Sequence, residues 1–239
     1  MMSNLINQVG GYQVIENVLS ESELDNIVGA YDELFISKEA YDNGDLYDMA
    51  SSGKGKDFNS WKIPQIMHPE KYLPQLRNTD LFKNISEYAS EYFGSTATVS
   101  FAHAINKPPH CITETPWHQD AAFWRPELEY NSLSFWVPLQ DVDDHNGCMR
   151  YAVGSQEFDV LPHQSVNNDI TAGGFELRED LRPIFLQDVC SVPLSMGQAV
   201  AHCPYILHSS GGNHSNHYRR AALLLNSVGR HGSLKLFGS

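Results

Sequence analysis

Positive charge is scarce in this chain. Sixteen Lys plus Arg stand against 29 Asp plus Glu among 239 residues, a formal net charge of −13. Affinity for nucleic acid draws largely on cations that displace phosphate counterions, so DNA, RNA and anionic membrane surfaces are poor partners. Long apolar runs are missing too: Ala221–Leu225 falls far short of the ~20 residues a membrane helix needs. The opening MMSNLINQVGG has neither the basic start nor the apolar stretch of a secretory signal, and the closing LKLFGS carries no organelle address. Cys111, Cys148, Cys190 and Cys203 form no CxxC pair and are too few for a disulfide scaffold, so free thiols in a reducing cytosol are expected. There is no internal repeat. What remains, 41% hydrophobic residues over this length, predicts one domain spanning 1–239. A cytoplasmic protein, monomer or homodimer, that handles a small molecule is expected.

The first part of the chain reads as helical cover, mostly over 16–94. Ser20 and Glu23 fit a capping box, and Leu24, Ile27, Val28, Tyr31, Leu34 and Phe35 follow at helical spacing. A second helix is expected from about Asp80 to Phe93, with Gly94 at the position that ends helices. Residues 40–66 lack a period, and Ser51–Asp57 (SSGKGKD) does not meet the phosphate-loop pattern; a surface loop is the better reading. From 96 to about 228 short strands alternate with turns: Thr96–Asn106, Pro116–Phe123, Ser132–Leu139, Met149–Val153, Gln198–Leu207 and Arg219–Ser227. A polar stretch, 163–190, interrupts them. This order predicts a mainly β sandwich or barrel decorated by helices, with a short C-terminal tail.

Eleven histidines make a single His-x-Asp triplet uninformative by itself, but its setting adds weight. Trp117-His118-Gln119-Asp120 is strand-like, and side chains at i and i+2 of a strand share a face. An imidazole and a carboxylate on one face are two ligands of an Fe(II) facial triad, whose other positions stay open. The third ligand is expected from His202, His208, His214 or His217. If the chain turns back near residues 212–213, Arg219 lies on the face of His208, roughly 7 Å along the strand. Such an arginine suits a dicarboxylate that chelates metal at one end and is gripped at the other. A one-residue slip presents Arg220 instead. His202, on the same face, is set aside because a straight strand places it about 20 Å from His208.

In Pro116–Asp120 (PWHQD), Leu133–Asp141 (LSFWVPLQD), Asn146–Met149 (NGCM) and Ile206–Ala221 (ILHSSGGNHSNHYRRA), the sequence resembles the phytanoyl-CoA dioxygenase family of Fe(II)/2-oxoglutarate oxygenases. The resemblance implies a double-stranded β-helix (jelly-roll) core about 96–228. It implies His118, Asp120 and His208 as catalytic iron ligands, with 2-oxoglutarate and O2 as cosubstrates. It also implies Arg219 and Ser210 as cosubstrate grips, Asn106 and Ser134 as further contacts, and Trp124 and Trp136, with neighbouring Phe123, as substrate-pocket wall. Two departures stand out: Val153-Gly154-Ser155-Gln156 replaces a Pro-Gly-Ser-His segment, and Gly197-Gln198 replaces a Gly-Asp pair. Asp120 points to oxygen transfer, since halogenating relatives carry a small residue there.

The expected activity is oxidation, by default hydroxylation, of a small or medium metabolite with release of succinate and CO2. Desaturation, epoxidation or cyclisation at the same iron site, a non-catalytic β-helix binding module and, more remotely, a zinc hydrolase are the alternatives. With so few cations a free metabolite is favoured over an acyl-CoA. Residues 40–60 and 163–190 are expected to form mobile pocket walls. The histidines at 68, 103, 110, 145, 163, 214, 217 and 231 are read as structural.

Overall fold

The computed structural model describes residues 6, 10–50, 60–170, 174–228 and 233–234. The loop expected at Ser51–Asp57 lies outside these residues. Eleven strands matter for the site: β1 (Tyr12–Ile15), β2 (Leu46–Asp48), β3 (Pro64–Met67), β4 (Ala97–Lys107), β5 (Thr115–His118), β6 (Ser132–Pro138), β7 (Met149–Ala152), β8 (Val189–Val192), β9 (Ala199–His202), β10 (His208–Ser210) and β11 (Arg219–Val228). They form a seven-stranded sheet, ordered β1-β9-β6-β11-β4-β3-β2, and a four-stranded sheet, ordered β8-β7-β10-β5. The two sheets make the jelly-roll core.

Helices α1 (Glu21–Leu34) and α2 (Asp80–Phe93) cover the outer face of the large sheet. Ser20 caps α1 by accepting from the Glu23 N–H. The Glu23 carboxylate does not complete the expected box; it accepts from the Asp80 N–H and ties α1 to the start of α2. Leu24, Ile27, Tyr31 and Leu34 of α1, and Leu81, Phe82, Ile85, Ala89 and Tyr92 of α2, are buried. Gly94 ends α2 in the left-handed region at φ 63°. Opposite them stand alternate residues of the sheet: Ala102 and Ala104 of β4, Leu133, Phe135 and Val137 of β6, and Ala222 and Leu224 of β11. Tyr31 anchors the pairing by donating to the Ala221 carbonyl at 2.6 Å.

The expected strand over Gln198–Leu207 breaks. β9 ends at His202 in the large sheet, the chain turns through Cys203–Leu207, and β10 starts in the small sheet. Pro204 has no N–H to give a ladder, which fits the change of sheet at this point. The expected hairpin between His208 and Arg219 does not form either, because β10 pairs with β5 and β7 while β11 pairs with β4 and β6. The crossing turn is held by Asn213, whose Nδ2 donates to the carbonyls of Lys107, Pro108 and His217 at 3.2, 3.0 and 2.7 Å. Gly212 is required there: a Cβ would lie 2.8 Å from the Ile112 carbonyl oxygen. Within 40–50 and 60–66, where the composition suggests loop, the chain forms β2 and the start of β3, which extend the large sheet.

Candidate active site

β10 and β5 run antiparallel with His208 directly opposite His118. Asp120 follows β5 at the start of a 3-10 turn, and the extended Gln119 between them keeps both side chains on one side. Ligand atoms of His118, Asp120 and His208 lie within 4.8 Å of one another. Each imidazole is oriented from behind: His118 Nδ1 faces the Pro116 carbonyl at 2.8 Å and His208 Nδ1 faces that of Ile206 at 3.0 Å. A carbonyl only accepts, so each Nδ1 carries the proton and each Nε2 its lone pair. These two lone pairs face Asp120 Oδ1 at 3.9 and 3.5 Å. Three electron-rich atoms converge with no proton between them, an arrangement that a cation relieves.

Electrostatics agree. Burial, with His208 next, pushes His118 down to about 3, so its imidazole is neutral at pH 7. Burial alone would raise the Asp120 carboxyl; His208 beside it and the hydrogen bond from His202 reverse that and hold it well below the usual carboxylate range.

His202, set aside from the sequence, belongs to this cluster. The break after β9 folds it back, so its ring centre is 4.5 Å from that of His208 and its Nε2 is 3.3 Å from Asp120 Oδ2. Its Nδ1 is 3.0 Å from the Tyr151 hydroxyl. Because a carboxylate only accepts, Nε2 carries the proton and Tyr151 donates to Nδ1. Ser134 also donates to Asp120 Oδ2. Two donors therefore occupy the outer oxygen of Asp120 and leave Oδ1 turned toward His118 and His208. The straight-strand geometry that excluded His202 was the error; Pro204 was the available signal.

Beside this cluster lies a cavity of about 370 Å³. At one end Arg219, 1% exposed, stands opposite Lys107 in the β11–β4 register. Its Nη2 donates to Ser210 Oγ at 3.3 Å, while Nε and Nη1 are buried without partners. Its guanidinium lies over the Trp136 ring, 5.4 Å from the centroid. Burial lowers Arg219 to about 10, which leaves it charged at pH 7. Arg220 points the other way, to a bidentate pair with Asp32 of α1 at 2.8 Å. Strand parity, not the expected hairpin, makes this choice.

Lys107 was missed from the sequence. It is wholly buried, donates to the Gly211 carbonyl at 2.7 Å, and lies 3.5 Å from Ser210 Oγ and Thr115 Oγ1. Burial, then Arg219, lowers its pKa well below the usual lysine value. Its signal was its place one β4 residue beyond Asn106. Asn106 itself has the parity of Ala102 and Ala104, on the helix side, and is not among the cavity-lining residues. Ser134, Trp124, Trp136 and Phe123 do line the cavity, and Phe123 packs edge-on against His118 at 5.6 Å. Of the two expected walls, 40–60 contributes Tyr47 and Met49, whereas no described residue of 163–190 lines the cavity; that stretch stands behind the lining, with Phe175 5.3 Å from Phe123 and His163 Nε2 accepting from the Gln119 N–H at 3.2 Å. His214 and His217 stay outside the cavity among the described residues.

Residues 8–221 match the family described as phytanoyl-CoA dioxygenase (PhyH). The chain is 23% identical to the peroxisomal phytanoyl-CoA dioxygenase of Rattus norvegicus over 223 residues, covering 88% of this chain and 63% of that enzyme's length. It is 31% identical to the L-proline trans-4-hydroxylase of Streptomyces griseoviridis over 140 residues, half of each chain. Among solved structures, EvdO2 from Micromonospora carbonacea var. aurantiaca superposes with a TM-score of 0.79 at 29% identity, covering 99% of this chain and 93% of that one. The same protein complexed with 2-oxoglutarate gives a TM-score of 0.78 at 27% identity.

Proposed function

The chain belongs to the phytanoyl-CoA dioxygenase family, and from that premise we propose that it is an Fe(II)/2-oxoglutarate-dependent oxygenase of a small organic metabolite. The observation that carries this reading is the pairing, in one cavity, of the His118–Asp120–His208 cluster with an arginine whose buried Nε and Nη1 have no partner. A buried unpaired guanidinium is costly in the free protein, so its presence asks for a carboxylate ligand. A zinc hydrolase would have no use for that clamp.

His118, Asp120 and His208 would hold Fe(II), whose bound form supplies the activation of O2 at the expense of 2-oxoglutarate. Arg219 and Ser210 would bind the distal carboxylate of the cosubstrate, with Lys107 close enough to add a second cation to the same end. Ser134 and His202 fix the carboxylate of Asp120 through Oδ2, which would leave Oδ1 to serve the metal. Trp136 packs beneath the guanidinium and excludes water from it.

Hydroxylation with release of succinate and CO2 is the reaction we assign; desaturation, epoxidation and cyclisation share every residue above. We read the whole chain as one such domain, located in the cytoplasm, where its four free cysteines would stay reduced. No described helix is long and apolar enough to cross a membrane. Incubation with Fe(II), O2 and 2-oxoglutarate tests the reading. Succinate should form and should fall by at least about 100-fold in His118→Ala; succinate at background in the wild type would remove the oxygenase assignment and leave a binding module.

A further inference from the structure

One polar group on the cavity wall is explained by neither metal nor cosubstrate. His103 of β4 lines the cavity, and its Nε2 is buried without a hydrogen-bond partner. The other ring nitrogen is committed: Nδ1 lies 3.2 Å from Gln65 Oε1, while Gln65 Nε2 donates to Met49 Sδ at 3.0 Å. With the amide nitrogen turned to sulfur, its oxygen faces the imidazole. Nδ1 therefore carries the proton and Nε2 a bare lone pair. Burial lowers His103 to about 4, so the ring is neutral at pH 7.

The register gives this acceptor its place. His103 is four residues from Lys107 along β4, about 13 Å from the cosubstrate end. Ser134, which holds Asp120, stands on β6, with β11 between it and β4. His103 is thus about 10 Å across the sheet from β6, the strand whose Ser134 holds Asp120. The surface around it is apolar, formed by Met67, Phe101, Ile105, Leu223 and Leu225. Among the described residues that line the cavity, Asp120 and Arg219 are the only Asp, Glu, Lys or Arg side chains, and both have assigned partners. A carboxylate or phosphate on a second ligand would be buried unpaired here. A hydroxyl would satisfy Nε2.

We propose that His103 Nε2 is the hydrogen-bond acceptor that orients the substrate, and that the substrate is an uncharged, mostly apolar molecule presenting a hydroxyl group to it. This inference rests on the oxygenase reading for the identity of the cavity. The His103–Gln65–Met49 chain fixes the tautomer, so the site reads a donor and rejects an isostere that lacks one.

Binding of three probes of one shape tests it: 2-naphthol, 2-methoxynaphthalene and 2-naphthoate. Each is titrated, by quenching of tryptophan fluorescence, into the full chain loaded with Co(II) and 2-oxoglutarate. 2-Naphthol should bind about tenfold more tightly than the other two. In His103→Phe the ratio of naphthol to methoxynaphthalene should fall to about one, with methoxynaphthalene still bound. Gln65→Leu keeps the imidazole but frees its tautomer, and should lower the ratio by a smaller factor; it carries the test if His103→Phe does not fold. Equal binding of naphthol and methoxynaphthalene by the wild type, a ratio unchanged in both variants, tighter binding of naphthoate, or no probe bound by the loaded protein would each overturn the inference alone. Failure of Co(II) or 2-oxoglutarate to bind, measured by calorimetry beforehand, would overturn the oxygenase reading and this inference together.

Discussion

The two faces of the seven-stranded sheet come from alternate residues of the same strands, yet they are built to opposite ends. On the helix side β4 presents Ala102 and Ala104, and β6 presents Leu133, Phe135 and Val137, packed under α1 and α2. On the other side β4 presents His103 and Lys107, β6 presents Ser134, and β11 presents Arg219. That face buries charge and leaves Arg219 Nε, Arg219 Nη1 and His103 Nε2 without partners. The helix face is given mainly to apolar packing, although Asn106 Oδ1 is buried there without a partner. The other face gives up part of the stability of the empty protein for groups that a ligand completes.

Four experiments would sharpen or break this contrast. The largest effect is expected on the packed face, where Phe135→Ala should cost about 3–5 kcal/mol in denaturant unfolding; affinity for 2-oxoglutarate in the folded fraction should change little. Next, Arg219→Met should weaken 2-oxoglutarate binding by roughly 2–5 kcal/mol in calorimetry. The same change should raise the Tm of the ligand-free protein, because it removes a buried charge that has no counter-ion; a lowered Tm would show that the guanidinium is already compensated. Third, His202→Leu should reduce Co(II) or 2-oxoglutarate affinity by about 10–100-fold, since Asp120 Oδ2 loses a donor. Wild-type affinities would mean that Ser134 alone holds the carboxylate.

The smallest effect is expected from pH. His118 is held neutral in the fold and depressed to about 3, whereas the unfolded chain protonates near the ordinary histidine value. The unfolded state therefore binds more protons between those values, and the stability of the metal-free protein is lost as pH falls through that window. Lowering pH from 7 to 5 should destabilise it through this group by at most about 2 kcal/mol. His118→Phe should flatten that slope in thermal melts.

The periodic elements were legible because their patterns are local. Leu24, Ile27, Tyr31 and Leu34 mark one helix face, and Gly94 ends the second helix, without help from the rest of the chain. His118 and Asp120 were legible for the same reason: two residues apart in extended chain, they share a side whatever they pack against. His202 was not, since its place depends on where the chain leaves one sheet for the other. Asn106 and Lys107 are neighbours whose roles differ by parity, and parity can be assigned only when the cavity side of β4 is known. Arg219 was chosen over Arg220 by a hairpin that does not exist. The choice agrees with the cavity because β4 and β6 impose the alternation that the hairpin was invoked to supply.

The sequence by itself determined that His118 and Asp120 share a side, which faces of α1 and α2 are apolar, and that the chain is acidic with few thiols, all through short-range spacing and residue chemistry. Tertiary structure alone decided that four imidazoles from β4, β5, β9 and β10 would line one cavity, that Lys107 would join Arg219, and that His103 would be left with an unanswered lone pair. Those outcomes depend on strand register and sheet order. Both are set by the sum of contacts across the fold, a sum that no single segment contains.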